Sequence, residues 1–174
     1  MTDKKLLLHT CCGPCATASV ERLLDEGWAV DLFYSNSNIL SYDEYQRRLE
    51  GVLKIAGYFK VGLVEDEYDH DAWLCEIKGL EAEPEKGSRC GVCFEYSLGR
   101  TAAVSGGYSG WATTLTISPH KNSKLIFEIG KKAGGFIEYD FKKKNGFARS
   151  IELSKKLDLY RQQYCGCEFS MNRE

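Results

Sequence analysis

Five residues constrain this chain more than any others: Cys11-Cys12-Gly13-Pro14-Cys15, placed directly after the apolar run Leu6-Leu7-Leu8. The run reads as a strand buried on both faces. After Pro14, which suits a first helical position, Ala16, Val20, Leu23 and Leu24 recur at helical spacing until Gly27. Strand, tight turn and helix is the unit with which α/β folds place chemistry at the carboxyl end of a strand. The partial positive charge of the helix N-terminus favours thiolate over thiol at Cys11 and Cys12. The turn is therefore expected to bind metal.

Four further cysteines fall in two groups, Cys90-Gly91-Val92-Cys93 and Cys165-Gly166-Cys167. Groups from the start, middle and end of the chain can converge on one site. Cys75 stands alone on a predicted helix and is expected to be a buried structural thiol. No stretch approaches the roughly 20 apolar residues of a membrane span. Leu6 to Leu8 is too short for a secretory core, so a cytoplasmic protein without membrane association is expected. Thiols there stay reduced, which favours ligands or catalytic groups over a disulfide framework. Seven clustered thiols exceed what one four-iron cluster or one closed zinc site uses, and the surplus suggests a second metal. Zinc is the competing assignment. A radical S-adenosylmethionine motif fails because its third cysteine would fall at Ala18, and a thioredoxin-like pair explains only two thiols.

The remaining pattern alternates strands and helices, predicting one α/β domain over 1–174 with a three-layer, mostly parallel sheet of about five strands. After Leu6 to His9, strands are expected at 29–34, 58–64, 111–116 and 136–139. Ser41-Tyr42-Asp43-Glu44 has the form of a capping box for a helix ending at Gly57. Helices are also expected around Ala72 to Leu80, Cys93 to Ala103 and Leu125 to Ala133. Leu153, Leu157, Tyr160 and Tyr164 mark a final helix running into Cys165. The net charge of −2 hides a gradient: residues 1–117 carry 11 basic against 18 acidic residues, and 118–174 carry 12 against 7. Such segregation can steer a polyanion onto one face.

Four stretches in order, His9-Thr10-Cys11-Cys12-Gly13-Pro14-Cys15, Arg89-Cys90-Gly91-Val92-Cys93, Thr113 to Lys121 and Ser154 to Cys167, make the chain resemble the epoxyqueuosine reductases of the QueH type. The resemblance implies two-electron removal of the epoxide oxygen from epoxyqueuosine in tRNA. It also implies a fold related to the adenine-nucleotide α-hydrolases (HUP-like), a [4Fe-4S] cluster, an additional iron and an external electron donor. The cysteine turn stands where the ATP-using relatives carry their phosphate loop, so no ATP chemistry is expected. Cys11, Cys12, Cys15, Cys90, Cys93, Cys165 and Cys167 are the implied metal ligands, their division between two metals left open. Cys11, Cys12, His120 and Asp140 are candidate catalytic groups, although an isolated carboxylate after a strand, as Asp140 is, more often caps or pairs, here with Lys142 or Arg149. His9 can shuttle protons or serve as structure, and His70 reads as surface. Lys121, Lys142, Lys143, Lys144, Arg149, Lys155 and Arg161 are candidate phosphate contacts, with Lys124 and Lys156 beside them. Tyr34, Tyr42 and Tyr45 offer base-stacking surfaces near Asn36 and Asn38.

Overall fold

A computed structural model describes residues 4–171. In chain order the elements are β1 (Lys5–Thr10), α1 (Gly13–Asp25), β2 (Ala29–Tyr34), α2 (Tyr42–Phe59), β3 (Gly62–Glu65), α3 (His70–Glu76), α4 (Ser88–Val104), β4 (Gly110–Thr113), α5 (Ser123–Ala133) and α6 (Gly146–Lys156). Short 3-10 turns occupy Thr114–Ile117 and Glu168–Ser170. The strands form one parallel sheet in the order β3-β2-β1-β4. Parallel strands need crossover helices, which cover both faces and make a three-layer α/β molecule. This arrangement is compatible with a HUP-like fold.

The period-two alternation of β1 divides the core. Leu6 and Leu8 join the apolar cluster of α1, α2 and α6, whereas Leu7 joins Phe94, Leu98 and Ile126 of α4 and α5. Each fully buried leucine contributes about 1.5–3 kcal/mol relative to exposure. The chain steps from β1 to β2 to β3, then crosses to the other side of β1 as β4. The strand order therefore reverses between β1 and β4, where α/β sheets open a crevice at their carboxyl ends.

Several expected boundaries shift. The aromatic pair Tyr58 and Phe59 continues α2, because Phe59 extends the buried face begun by Ile55 while Gly57 points into open space; the turn comes at Lys60, in the left-handed region. The strand expected from Trp111 to Thr116 stops at Thr113, whose hydroxyl accepts the Leu115 N–H at 3.2 Å and starts a 3-10 turn. That removes the partner of the fifth strand. Trp111 still bonds Gly135 and Ile137, leaving one parallel bridge at Phe136, and Thr116 donates to the Tyr139 carbonyl at 2.6 Å. Four strands and a bridge replace the five expected.

The last helix ends eleven residues before Cys167, at Lys156. Asp158 takes a left-handed φ of 47°, and the Leu159 N–H bonds back to the Ser154 carbonyl at 2.9 Å. This is a Schellman stop, sealed by burial of Leu159. Tyr160 and Tyr164 therefore lie on an irregular segment rather than on a helix face. Among the described residues, no helix is long and apolar enough to cross a membrane.

Candidate metal centre

The cysteine turn is built by the switch point itself. Asn36, just past β2, donates to the Thr10 carbonyl at 3.2 Å, and Thr114, just past β4, accepts the Cys11 N–H at 3.4 Å. Cys12 is the N-cap of α1, its sulfur accepting the Cys15 N–H at 3.4 Å. A thiol thus takes the place usually held by a serine or aspartate oxygen. One helical turn brings Cys15 back beside the other two, and the three sulfurs lie within 4.8 Å of one another. Hydrogen bonding from Cys12 and Cys15 holds the Cys11 thiol well below its ordinary value. Hydrogen bonding to Cys11 in turn pushes Cys12 up to about 12 and Cys15 well above its ordinary value. The three thiols titrate together, with ionisation favoured at Cys11 over its two neighbours.

The second and third groups approach from elsewhere. Gly87 precedes α4, so Cys90 and Cys93 occupy its first two turns, and Cys90 accepts the Lys86 N–H at 3.3 Å. Arg89, 2% exposed, donates to the carbonyls of Leu80, Glu81 and Glu83 and ties the preceding polar connection down. Cys165 and Cys167 sit on the irregular C-terminal segment. A cavity of about 330 Å³ is lined by Cys11, Cys15, Cys93 and Cys165; a neighbouring one of about 90 Å³ is lined by Cys90, Cys93, Cys165 and Cys167. Cys93 and Cys165 line both, so the two cavities adjoin. Burial, and then the charge of Cys165, pushes the Cys93 thiol up; burial raises Cys167 as well. Trp73, fully buried, has an indole N–H with no formed hydrogen bond beside the Cys93 thiol.

Other candidates separate by place. His120 and Lys121 line both cavities, and attraction to the neighbouring cysteine sulfurs, Cys165 foremost, raises the Lys121 pKa against the opposing effect of burial. Arg161 lines the larger cavity. Asn36 and Asn38 also line it, but Tyr34 and Tyr45 are core residues, leaving Tyr42, 57% exposed, as the stacking surface. His9 is held by Thr113 at 2.8 Å and the Ser35 carbonyl at 3.1 Å, and burial lowers its pKa. It is a neutral structural imidazole at the cavity floor. Asp140 lies outside the lining of both cavities and pairs with Lys142 at 3.3 Å. Lys144 pairs with Glu26, and Arg149 with Glu21 and Glu152; Lys143 and Lys155 are exposed.

Two expectations are corrected. Cys75 is exposed rather than buried, because it lies on the outer face of a seven-residue helix that buries Trp73. His70 is not a surface residue: it bonds the Ser37 carbonyl at 2.8 Å, stacks on Trp73 and pairs with Glu168. Arg48, Trp73 and Thr114 were invisible as site residues in the sequence. Only the Glu44-x-x-x-Arg48 spacing on a capped helix hinted at the first.

A sequence profile described as "Epoxyqueuosine reductase QueH" matches residues 6–173. The chain belongs to the QueH family. Relatives named epoxyqueuosine reductase QueH include those of Streptococcus pyogenes, 39% identical over 95% of this chain and 69% of the relative, and Acinetobacter baylyi, 37% identical over 96% and 80%. The Thermotoga maritima QueH is 35% identical over 95% of this chain and 90% of its own length. Membership makes this chain an oxidoreductase.

Proposed function

We propose that this QueH protein is a cytoplasmic epoxyqueuosine reductase acting on tRNA, with Cys90, Cys93, Cys165 and Cys167 holding a [4Fe-4S] cluster and Cys11, Cys12 and Cys15 an additional iron. The observation that carries the reading is the close trio Cys11, Cys12 and Cys15 at the switch-point turn beside a small cavity lined by the other four thiols, with Cys93 and Cys165 also lining the larger cavity next to Cys11 and Cys15. An all-sulfur donor set suits iron and sulfide. The buried Trp73 N–H beside Cys93 is a donor that cluster sulfur or thiolate would satisfy.

The overall change balances as epoxide plus two electrons and two protons giving alkene and water. When bound, the metals supply single electrons from an external donor and Lewis acidity toward the departing oxygen. The residues do the rest. The larger cavity takes the modified base after it leaves the anticodon stack, with Asn36 and Asn38 offering hydrogen bonds to its polar edge. Lys121 neutralises thiolate charge, and exposed His120 connects the cavity with solvent as a path for protons. Asp140 is kept on Lys142, which makes it a support of the loop before α6. Arg161 at the cavity, with Lys143 and Lys155, are the leading phosphate contacts, and no ATP enters the scheme.

Anaerobic turnover of epoxyqueuosine-containing tRNA with a strong reductant, followed by nucleoside analysis, tests the reading. Queuosine should appear, and Cys90→Ala or Cys93→Ala should abolish both product and visible absorption while Cys75→Ala changes neither. A colourless protein carrying zinc without iron, or an iron-loaded protein that leaves epoxyqueuosine intact, would count decisively against it.

A further inference from the structure

The C-terminal segment poses a mechanical problem: Cys165 and Cys167 lie between the end of α6 and the short 3-10 turn Glu168–Ser170, so no strand ladder or α-helix holds them at the cavities. One buried side chain does. Arg48 of α2, 3% exposed, donates from Nη1 to the Cys165 carbonyl at 2.9 Å and from Nη2 to the Tyr164 carbonyl at 3.3 Å. Its Nε donates to Glu44 at 2.7 Å, and its guanidinium lies 5.3 Å from the Tyr164 ring centroid. Glu44 also accepts the Tyr160 hydroxyl at 3.0 and 3.1 Å, so both ends of the Tyr160–Cys165 stretch are held by one ion pair. Leu40 donates to the Gly166 carbonyl at 3.0 Å, and Gly166 has φ of 128°. A Cβ on Gly166 would meet Arg48 Nη1 at 3.2 Å and Ile39 at 3.1 Å. Arg48 also lines the larger cavity, whereas Glu44 does not.

We infer that Arg48 is a positioning residue that clamps Cys165 into the metal centre and turns the positive end of its ion pair with Glu44 toward the larger cavity. A buried arginine costs desolvation, and hydrogen bonds to two carbonyls and a carboxylate offset it. Nothing about folding α2 itself requires those carbonyl partners. Charge and hydrogen bonding near a cluster are levers on its reduction potential, so the clamp acts on electronics as well as on geometry.

The inference rests on the metal-centre reading, and two measurements separate their failures. Removing Arg48 alone would strand Glu44 as a buried charge, so Glu44→Gln/Arg48→Gln is the main variant, with Arg48→Lys as the charge-retaining control. Reconstituted anaerobically, the folded double variant should show an altered electron paramagnetic resonance line shape and a more negative midpoint potential. Arg48→Lys should recover the potential but not the line shape, because an ammonium lacks the fork. A wild-type spectrum and potential in the folded double variant overturn the inference. In the metal-free chain, maleimide modification of Cys165 relative to exposed Cys75 should accelerate in the double variant, or in Arg48→Lys if the double variant does not fold. An unchanged ratio overturns the clamp, whereas a changed ratio in a protein that never binds iron keeps the clamp and removes the metal reading.

Discussion

Asp66, one residue beyond β3, accepts Nη2 of Arg100 at 2.6 Å together with its Nε–H, and the Ser35 hydroxyl at 2.6 Å; the Ser35 carbonyl in turn holds His9 at the cavity floor. Burial by itself would raise this carboxyl, but Arg100 and Ser35 override it and hold Asp66 below the usual carboxylate range. A carboxyl depressed in the folded state contributes stability that is complete above its unfolded value of about 3.9 and vanishes as pH falls through the lower folded value. Asp66→Asn should therefore cost about 1–3 kcal/mol at neutral pH. Urea melts of both proteins should show that gap narrowing below about pH 4; a gap independent of pH would refute the assignment. Single residues also show where sequence reading stops. That Cys11 and Cys12 lie at a helix N-terminus was legible, but Pro14 takes the second helical position rather than the first, which makes Cys12 the N-cap, and the exposure of Cys75 depended on which face α3 turned inward.

Helix α1 reaches its position because two backbones touch. A Cβ on Gly13 would come within 2.7 Å of the Gly51 carbonyl carbon in α2, but one on Gly51 would meet Gly13 no closer than 3.5 Å. Gly13→Ala must push two helices apart and should lose about 1–3 kcal/mol. Gly51→Ala should be neutral or gain up to about 1 kcal/mol from helix propensity. Thermal melts of the pair decide this; equal losses would mean that the close approach is not the constraint. The α-helices and strands were foreseen except for the strand reduced to a bridge at Phe136, although the final helix was read from Leu153, Leu157, Tyr160 and Tyr164, of which only Leu153 lies in α6, and the two 3-10 turns were not foreseen. The errors lay at ends, where left-handed residues other than glycine, Lys60 and Asp158, stop helices. Neither residue type announces a stop, because this geometry is stabilised by burial of the next side chain, Val61 or Leu159, rather than by the residue that turns.

Over the whole molecule, the basic C-terminal third does not translate into a uniform basic face. Lys142, Lys144 and Arg149 direct their charge to Asp140, Glu26, Glu21 and Glu152, whereas Arg161 faces the cavity. Exposed ion pairs of this kind contribute little to stability, but they dilute attraction for phosphate. Arg161→Ala should therefore lower the slope of log affinity for tRNA against log salt by about one, and Lys144→Ala by less. Equal changes in a salt titration of tRNA binding would return weight to the basic segment as a whole. The cysteines converge in the opposite way. Segments separated by most of the chain meet at one end of one sheet, and no local pattern states which thiols become neighbours.

What the sequence determined alone was the strand-turn-helix unit at Cys11 to Cys15, the parallel α/β class and the family, because each depends on short-range periodicity or on motifs in fixed order. Only the tertiary structure decided that Cys90 and Cys93 share a cavity with Cys165 and Cys167 while Cys11, Cys12 and Cys15 form their own trio. It also decided that Arg48 reaches across to the Cys165 carbonyl. The physical reason is the reversal of strand order between β1 and β4. That crossover brings α4 and the C-terminal segment to the mouth of the cysteine turn, and it is set by packing of both sheet faces rather than by any residue at the site.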